Sequence, residues 1–145
     1  MHPYPHHYQV RAEATGTGSV TLSSEGLADL ASAPPREFDG PGDQWSPETL
    51  LLAAVADCFV LSFRAVAAAS KFDWLALQCR SSGTLDRVDR VAQFTEIVHT
   101  VTLDVPAGAS TERAHSLLQK AEQVCLVSNS LKAGVHVAAE IRVAG

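Results

Sequence analysis

The chain has 145 residues, of which 11 are Lys or Arg and 16 are Asp or Glu, giving a formal net charge of −5. That length suits one domain, expected to span residues 1–145. The 46% hydrophobic share is that of an ordinary globular protein, not of a disordered or fibrous chain. An acidic balance with no basic run speaks against nucleic acid or an anionic lipid surface as partner.

From Tyr8 to Ala14, apolar and polar side chains alternate, the period of a half-buried strand. Gly16-Thr17-Gly18 turns the chain into a short strand over Ser19 to Ser23, and Ser24-Glu25-Gly26 turns it again. Pro34, Pro35, Gly40, Pro41 and Gly42 make the stretch from Ala33 to Gln44 a loop with restricted dihedrals.

Ser46-Pro47-Glu48 is a helix start: an N-cap hydroxyl, a proline at the first helical position and a carboxylate in the first turn. The helix is expected to run to about Ser70, with Leu50, Leu51, Leu52, Val55, Phe59, Val60, Leu61, Phe63 and Val66 around most of its circumference. Such a helix wants burial on nearly all sides. One small domain cannot wrap it, so a homodimer sharing the helix is expected. Asp57 and Arg64 interrupt the apolar run, which argues against a membrane span.

Alternation returns over Leu77 to Leu85 and Phe94 to Val105, with Arg87-Val88-Asp89-Arg90 as the polar connection. Ser110 or Thr111 caps a second helix reaching about Val124, whose buried stripe is Leu117, Leu118, Ala121 and Val124. A last strand runs from Val135 to Val143, apolar at odd positions.

Three cysteines are too few for a disulfide framework. The first nine residues lack the apolar core of a secretory signal. The expectation is a soluble cytoplasmic protein. Cys58 lies mid-helix and Cys125 at the end of the second helix, in neither a CxxC pair nor a zinc doublet. Two readings of them stand: a thiol pair that cycles with a disulfide, or two small buried hydrophobes. Cys79 reads as core filler on its strand. His99 shares an apolar face with Ile97 and Val101 and reads as a core histidine with no acidic partner in view. Ser62, one turn beyond Cys58, bonds either the sulfur or its own helix backbone.

Glu37-Phe38-Asp39-Gly40-Pro41-Gly42, Trp45-Ser46-Pro47-Glu48-Thr49-Leu50-Leu51 and Ala56-Asp57-Cys58-Phe59, followed by Ala121-Glu122-Gln123-Val124-Cys125-Leu126-Val127-Ser128-Asn129, together resemble the two signature segments of the OsmC/Ohr family. The resemblance covers the chain from about Tyr8. It implies an α+β fold with two helices and antiparallel sheets, intertwined as a homodimer around the long central helices. It also implies a thiol-dependent peroxidase that reduces organic hydroperoxides, and hydrogen peroxide less well, with neither cofactor nor metal ion.

By the same resemblance Cys58 matches the peroxidatic cysteine, Cys125 the resolving one, and Glu48 the glutamate that pairs with an arginine. A dithiol, such as a lipoylated protein or another thiol, resets the disulfide in that family. The chemistry needs the arginine. A thiol of pKa about 8.5 is mostly un-ionised at neutral pH, burial raises it further, and a guanidinium offsets both. Glu48 and Cys58 are separated by roughly 15 Å along one helix, so Glu48 acts through a long arginine or on the other subunit.

The family's peroxidase branch carries that arginine in the turn after the first strand, where this chain has Gly16-Thr17-Gly18-Ser19. Arg36, in the loop leading to Glu48, is the candidate replacement ahead of Arg11; the other reading of Arg36 is a surface charge. Leu126 stands where proline often follows the second cysteine. Trp45 and Phe59 are candidates to line an apolar peroxide pocket, or to fill the dimer core. The alternative function is a family member without efficient peroxidase activity, serving as a small-ligand-binding or stress-related structural dimer.

Overall fold

The computed structural model describes all of residues 1–145. Two compact units divide the chain, Met1–Leu51 and Leu52–Gly145, with the boundary inside the first long helix.

The N-terminal unit is a three-stranded antiparallel meander of β1 (Arg11–Glu13), β2 (Val20–Ser23) and β3 (Leu30–Ser32). The strand expected over Tyr8 to Ala14 shrinks to three residues because its ladder with β2 ends at the Arg11–Ser23 pair. Beyond that point Tyr8 and Val10 stay 86% and 73% exposed, so the expected half-burial of this strand does not occur. β3 was not anticipated; three residues are too few to carry a period. After it, a single 3-10 turn (Arg36–Phe38) breaks the proline-rich loop. Gly40 is obligatory there, since a Cβ would lie 1.6 Å from the Pro34 carbonyl oxygen. The loop closes where the Ala33 N–H donates to the Trp45 carbonyl (2.8 Å).

Helix α1 (Pro47–Ala69) begins as expected. The Thr49 N–H donates to Ser46 Oγ (3.1 Å) and the Ser46 N–H to Thr49 Oγ1 (2.9 Å), a reciprocal cap in which threonine does the work usual for Glu or Gln. The expected all-round burial is not met within one chain. Only Val55, Phe59, Phe63 and Ala67 are buried, a stripe at four-residue spacing, while Leu61 is 50% exposed. The helix is long and apolar enough to cross a membrane. That buried stripe packs into the core described next, however, and the helix carries Asp57 and Arg64 midway.

In the C-terminal unit β4 (Ala76–Val88) and β5 (Val91–Val105) form a long hairpin. Strand pairing extends through Val88 and Val91, leaving only Asp89 and Arg90 in the turn, both at positive φ (50° and 69°). Two successive left-handed residues match the right-handed twist of a hairpin. Helix α2 (Thr111–Val124) follows, capped by Ser110, whose hydroxyl accepts from the Arg113 N–H. The chain then returns as β6 (Gly134–Val143), parallel to β5. This pair is the one departure from antiparallel sheets: a strand that returns through a helix crosses over and pairs parallel.

The sheet order β4-β5-β6 puts β5 in the centre. Its odd positions Ile97, His99, Val101, Leu103 and Val105 are all buried. The core joins Phe59, Phe63 and Ala67 of α1 to Val101, Leu103 and Val105 of β5 and to Ala114, Leu117, Leu118 and Ala121 of α2. Both helices therefore cover one face of this sheet. Val124, expected in the α2 stripe, is 45% exposed. Its place on the buried face is taken by Glu122 and Cys125, one turn beyond Leu118 and Ala121.

Candidate functional site

Cys58 sits beside the buried stripe of α1 rather than in it, and is half-buried. Its sulfur is 4.0 Å from Ser62 Oγ, one turn along the helix. Cys125 is the C-terminal cap of α2 and is fully buried. There the backbone leaves the helix (φ −67°, ψ 107°) and folds into a 3-10 turn (Ser128–Ser130). The turn satisfies the helix end: the Asn129 N–H and the Ser128 hydroxyl both donate to the Cys125 carbonyl, at 3.0 and 3.2 Å. Asn129 Nδ2 donates to the Gln123 carbonyl.

The two thiols are neighbours, each felt by the other, and both are free. Burial pushes the Cys125 thiol up; the Ser128 N–H and hydroxyl, directed at the same sulfur, pull the other way, and a negative Cys58 raises it again. Cys125 is thus held as a protonated thiol, with donors ready for its anion.

A polar cluster lies behind the sulfurs. His99 is fully buried on β5, and its Nδ1 shares a 2.6 Å hydrogen bond with Ser81 Oγ, the residue paired with it across the β4–β5 ladder. The Phe59 ring packs against the imidazole with centroids 5.0 Å apart. On the far side, His99 Nε2 and Glu122 Oε2 stand 3.9 Å apart, too far for a hydrogen bond. Both atoms are buried without any other partner. The other oxygen of Glu122 accepts from the Ser128 hydroxyl at 3.0 Å. Burial pulls the His99 imidazole down from its ordinary range and pushes the Glu122 carboxyl up, the Ser128 hydrogen bond partly opposing the latter. Cys79, on β4, lies 3.7 Å from Ser81 Oγ, and burial chiefly, with the Glu122 charge as a lesser cause, raises its thiol.

His99 therefore has an acidic neighbour that the sequence reading did not see. It lies 23 positions downstream on another element, and only the packing of α2 on β5 brings the two together. A signal for Glu122 was present: it stands four residues after Leu118, a carboxylate on the buried face of its helix.

The structure brings Cys58 and Cys125 together with Phe59 close by. Phe59 is 0% exposed, so it backs the thiol cluster from within the core and does not line an open pocket. Glu48, Arg36 and Trp45 belong to the N-terminal unit. One oxygen of Glu48 is buried without a partner. Arg36 is exposed and its side chain lies along Gly42, where a Cβ would meet Nε at 2.0 Å. It forms no ion pair with Glu48 within the chain. Trp45 is 46% exposed and, with Gly42, Asp43, Gln44 and Thr49, borders a shallow, open depression. No group of three metal-ligating side chains converges anywhere in the structure.

An α+β chain that sets one thiol on a long helix against a second at the end of another helix, over a buried polar cluster, is a protein with a paired-thiol site. Comparison with known proteins gives the family. The family described as OsmC-like protein matches residues 40–140, and the chain belongs to it. The chain is 32% identical over 133 residues to the organic hydroperoxide resistance protein of Xanthomonas axonopodis pv. citri, covering 87% of this chain and 89% of that one. It is 29% identical over 143 residues to the uncharacterized protein YmaD of Bacillus subtilis, with 95% of each chain covered. Among solved structures, an organic hydroperoxide resistance protein from Legionella pneumophila matches with a TM-score of 0.73 at 26% identity, covering 97% of this chain and 99% of the other. An OsmC-like protein of unknown function from Vibrio cholerae matches at TM-score 0.85 and 14% identity, covering 94% and 100%, a likeness of fold alone.

Proposed function

We propose that the protein is a thiol-dependent peroxidase that reduces organic hydroperoxides to alcohols, and hydrogen peroxide less well, as part of a stress response in the cytoplasm. The observation that carries this reading is the neighbouring pair of free thiols, Cys58 half-buried and Cys125 fully buried. The names of the Xanthomonas and Legionella relatives support the substrate class.

In this reading the Cys58 thiolate attacks one peroxide oxygen. An S–O bond forms, the O–O bond breaks, and the alkoxide leaves with a proton as the alcohol. Cys125 then attacks the sulfenic sulfur, giving a disulfide and water before further oxidation occurs. A lipoylated protein or other dithiol restores both thiols by exchange. Arg36 is the guanidinium assigned to steady the Cys58 anion, Glu48 the carboxylate that orients it, and Trp45 the apolar wall nearest that loop. The active unit is a homodimer. The apolar surface that α1 leaves uncovered in one chain, Leu61 above all, supports a second copy as its cover.

Turnover of cumene hydroperoxide with dithiothreitol tests the assignment. Cys58→Ser is expected to abolish it; full activity in that variant overturns the reading. Arg36→Ala, if harmless, removes the arginine assignment alone. A second reading, a family member that binds a small apolar ligand or has a structural role in stress without efficient peroxidase chemistry, draws on a specific observation. Arg36 lies exposed along Gly42, unpaired with Glu48, and the turn Gly16–Ser19 holds no arginine.

A further inference from the structure

The peroxidase reading uses the two sulfurs but leaves the proton of Cys125 without a destination. That proton is a chemical difficulty. Cys125 is fully buried, and the thiolate, not the thiol, is the attacking species. No water reaches a sealed sulfur easily, and no lysine or arginine pairs with any group of the cluster.

The surroundings of Cys125 offer one path. The Ser128 hydroxyl has a single proton and two acceptors at hydrogen-bonding distance, the Cys125 carbonyl at 3.2 Å and Glu122 Oε1 at 3.0 Å, and it lies close enough to the Cys125 sulfur to draw that thiol down. When it donates to Glu122, its oxygen lone pairs are free to accept from the Cys125 thiol. Glu122 Oε2 is buried and unpartnered, and it faces the equally unpartnered Nε2 of His99 across 3.9 Å. An unsatisfied buried carboxylate oxygen opposite an unsatisfied imidazole nitrogen costs stability in a core. A carboxylate in such surroundings, with a hydroxyl bonded to its other oxygen, is placed to take up a proton.

We propose that Glu122, through the hydroxyl of Ser128, receives the proton of Cys125 as that thiol attacks oxidised Cys58, with the imidazole of His99, anchored to Ser81, facing the carboxylate from the sheet. The inference rests on the peroxidase reading of Cys58 and Cys125. The step balances. The Cys125 S–H bond breaks and its proton moves to Ser128 Oγ, whose own proton passes to Glu122. The S–S bond forms and the sulfenic S–O bond breaks. The departing hydroxide gains a proton, finally the one held by Glu122, and leaves as water. The Cys125 sulfur is oxidised by one unit and the Cys58 sulfur reduced by one. Ser128 neighbours the reacting sulfur, and Glu122 is a positioning residue that acts through it.

Two groups face Glu122 directly, His99 from β5 and Ser128 beyond the end of α2; Cys79 on β4 feels its charge, and Cys125 and Cys58 lie past Ser128. Burial raises the carboxyl and lowers the imidazole, which brings the two proton affinities closer and suits a group that takes and returns one proton.

The test separates the two chemical steps in a single turnover of the full-length protein. One equivalent of cumene hydroperoxide is mixed with the reduced protein. Cys58 sulfenic acid is trapped with dimedone, and the Cys58–Cys125 disulfide is followed by quenched mass spectrometry from pH 6 to 9.5. Glu122→Gln keeps the size of the side chain, and Ser128→Ala interrupts the path at a second point. In both variants the expected rate of sulfenic acid formation is that of wild type, which also reports that the fold is intact. Disulfide formation is expected to be at least tenfold slower at pH 7. It should then rise about tenfold per pH unit until it meets the wild-type rate where Cys125 ionises unaided.

Disulfide formation as fast as wild type in both variants overturns the relay while leaving the peroxidase reading in place. Slowing by the same factor at every pH also overturns it, because that is the mark of a structural defect. A wild-type protein whose Cys58 consumes no peroxide overturns the reading beneath it and the relay with it.

Discussion

Replacing Phe59 by alanine probes the link between packing and the thiol cluster. Phe59 is 0% exposed and packs among Phe63, Val101 and Leu118 in the core, while its ring seals one side of His99 at 5.0 Å. Losing a fully buried phenyl ring removes its transfer free energy and leaves a cavity, about 3–5 kcal/mol in all. With a urea m-value of about 2 kcal/mol/M, the unfolding midpoint should fall by about 2 M with m unchanged. The same cavity admits water beside His99. Burial is what lowers that imidazole, so its NMR titration midpoint should move up towards the ordinary 6.5. A loss below about 1 kcal/mol, or a His99 midpoint that does not move, refutes the reasoning that Phe59 both fills the core and dries the cluster.

Two further outcomes follow from the same geometry. Leu61→Asp places a charge on the uncovered apolar side of α1, where Leu61 is 50% exposed in one chain; sedimentation should show a monomer for the variant against the dimer proposed for wild type, and the same species for both would remove α1 as the shared surface. On acidification, thermal stability should decline from about pH 6.5 downwards. The unfolded chain protonates His99 near the ordinary value while the folded chain, with that pKa lowered, refuses the proton. Asp104, held below its usual range by its hydrogen bonds to Arg142 (2.6 and 2.9 Å), adds stability that is lost only nearer pH 4. Glu122 opposes both, because its raised carboxyl makes folding less costly as it protonates. Calorimetry of Glu122→Gln should accordingly show a steeper decline with falling pH than wild type, and a shallower one contradicts the sign of that burial effect.

The start of α1, the cap of α2 and the alternation of β5 were legible in the sequence because each depends on residues close together in the chain. Ser46 meets Thr49, Ser110 meets Arg113, and a period of two needs no partner to be seen. Composition told that α1 is apolar all round, but not which of its residues one chain covers, Val55, Phe59, Phe63 and Ala67. The parallel pairing of β6 and the brevity of β1 depend on tertiary placement. The two cysteines were found by resemblance. The groups that surround them were not, for a physical reason. Glu122 and His99 interact only because α2 crosses β5, and Ser128 reaches Glu122 only because the chain folds back past the helix end. The carboxylate on the apolar face of α2 was the one local sign of that cluster.

The central claim is that two thiols on different helical elements form a working redox pair. Peptide mapping by mass spectrometry, after one equivalent of an organic hydroperoxide is added to the reduced protein, addresses it directly. The expected result is one disulfide joining the Cys58 and Cys125 peptides, with Cys79 still free. A Cys58 that accumulates as sulfinic acid while Cys125 remains reduced, or a pair of thiols untouched by the peroxide, would contradict the claim.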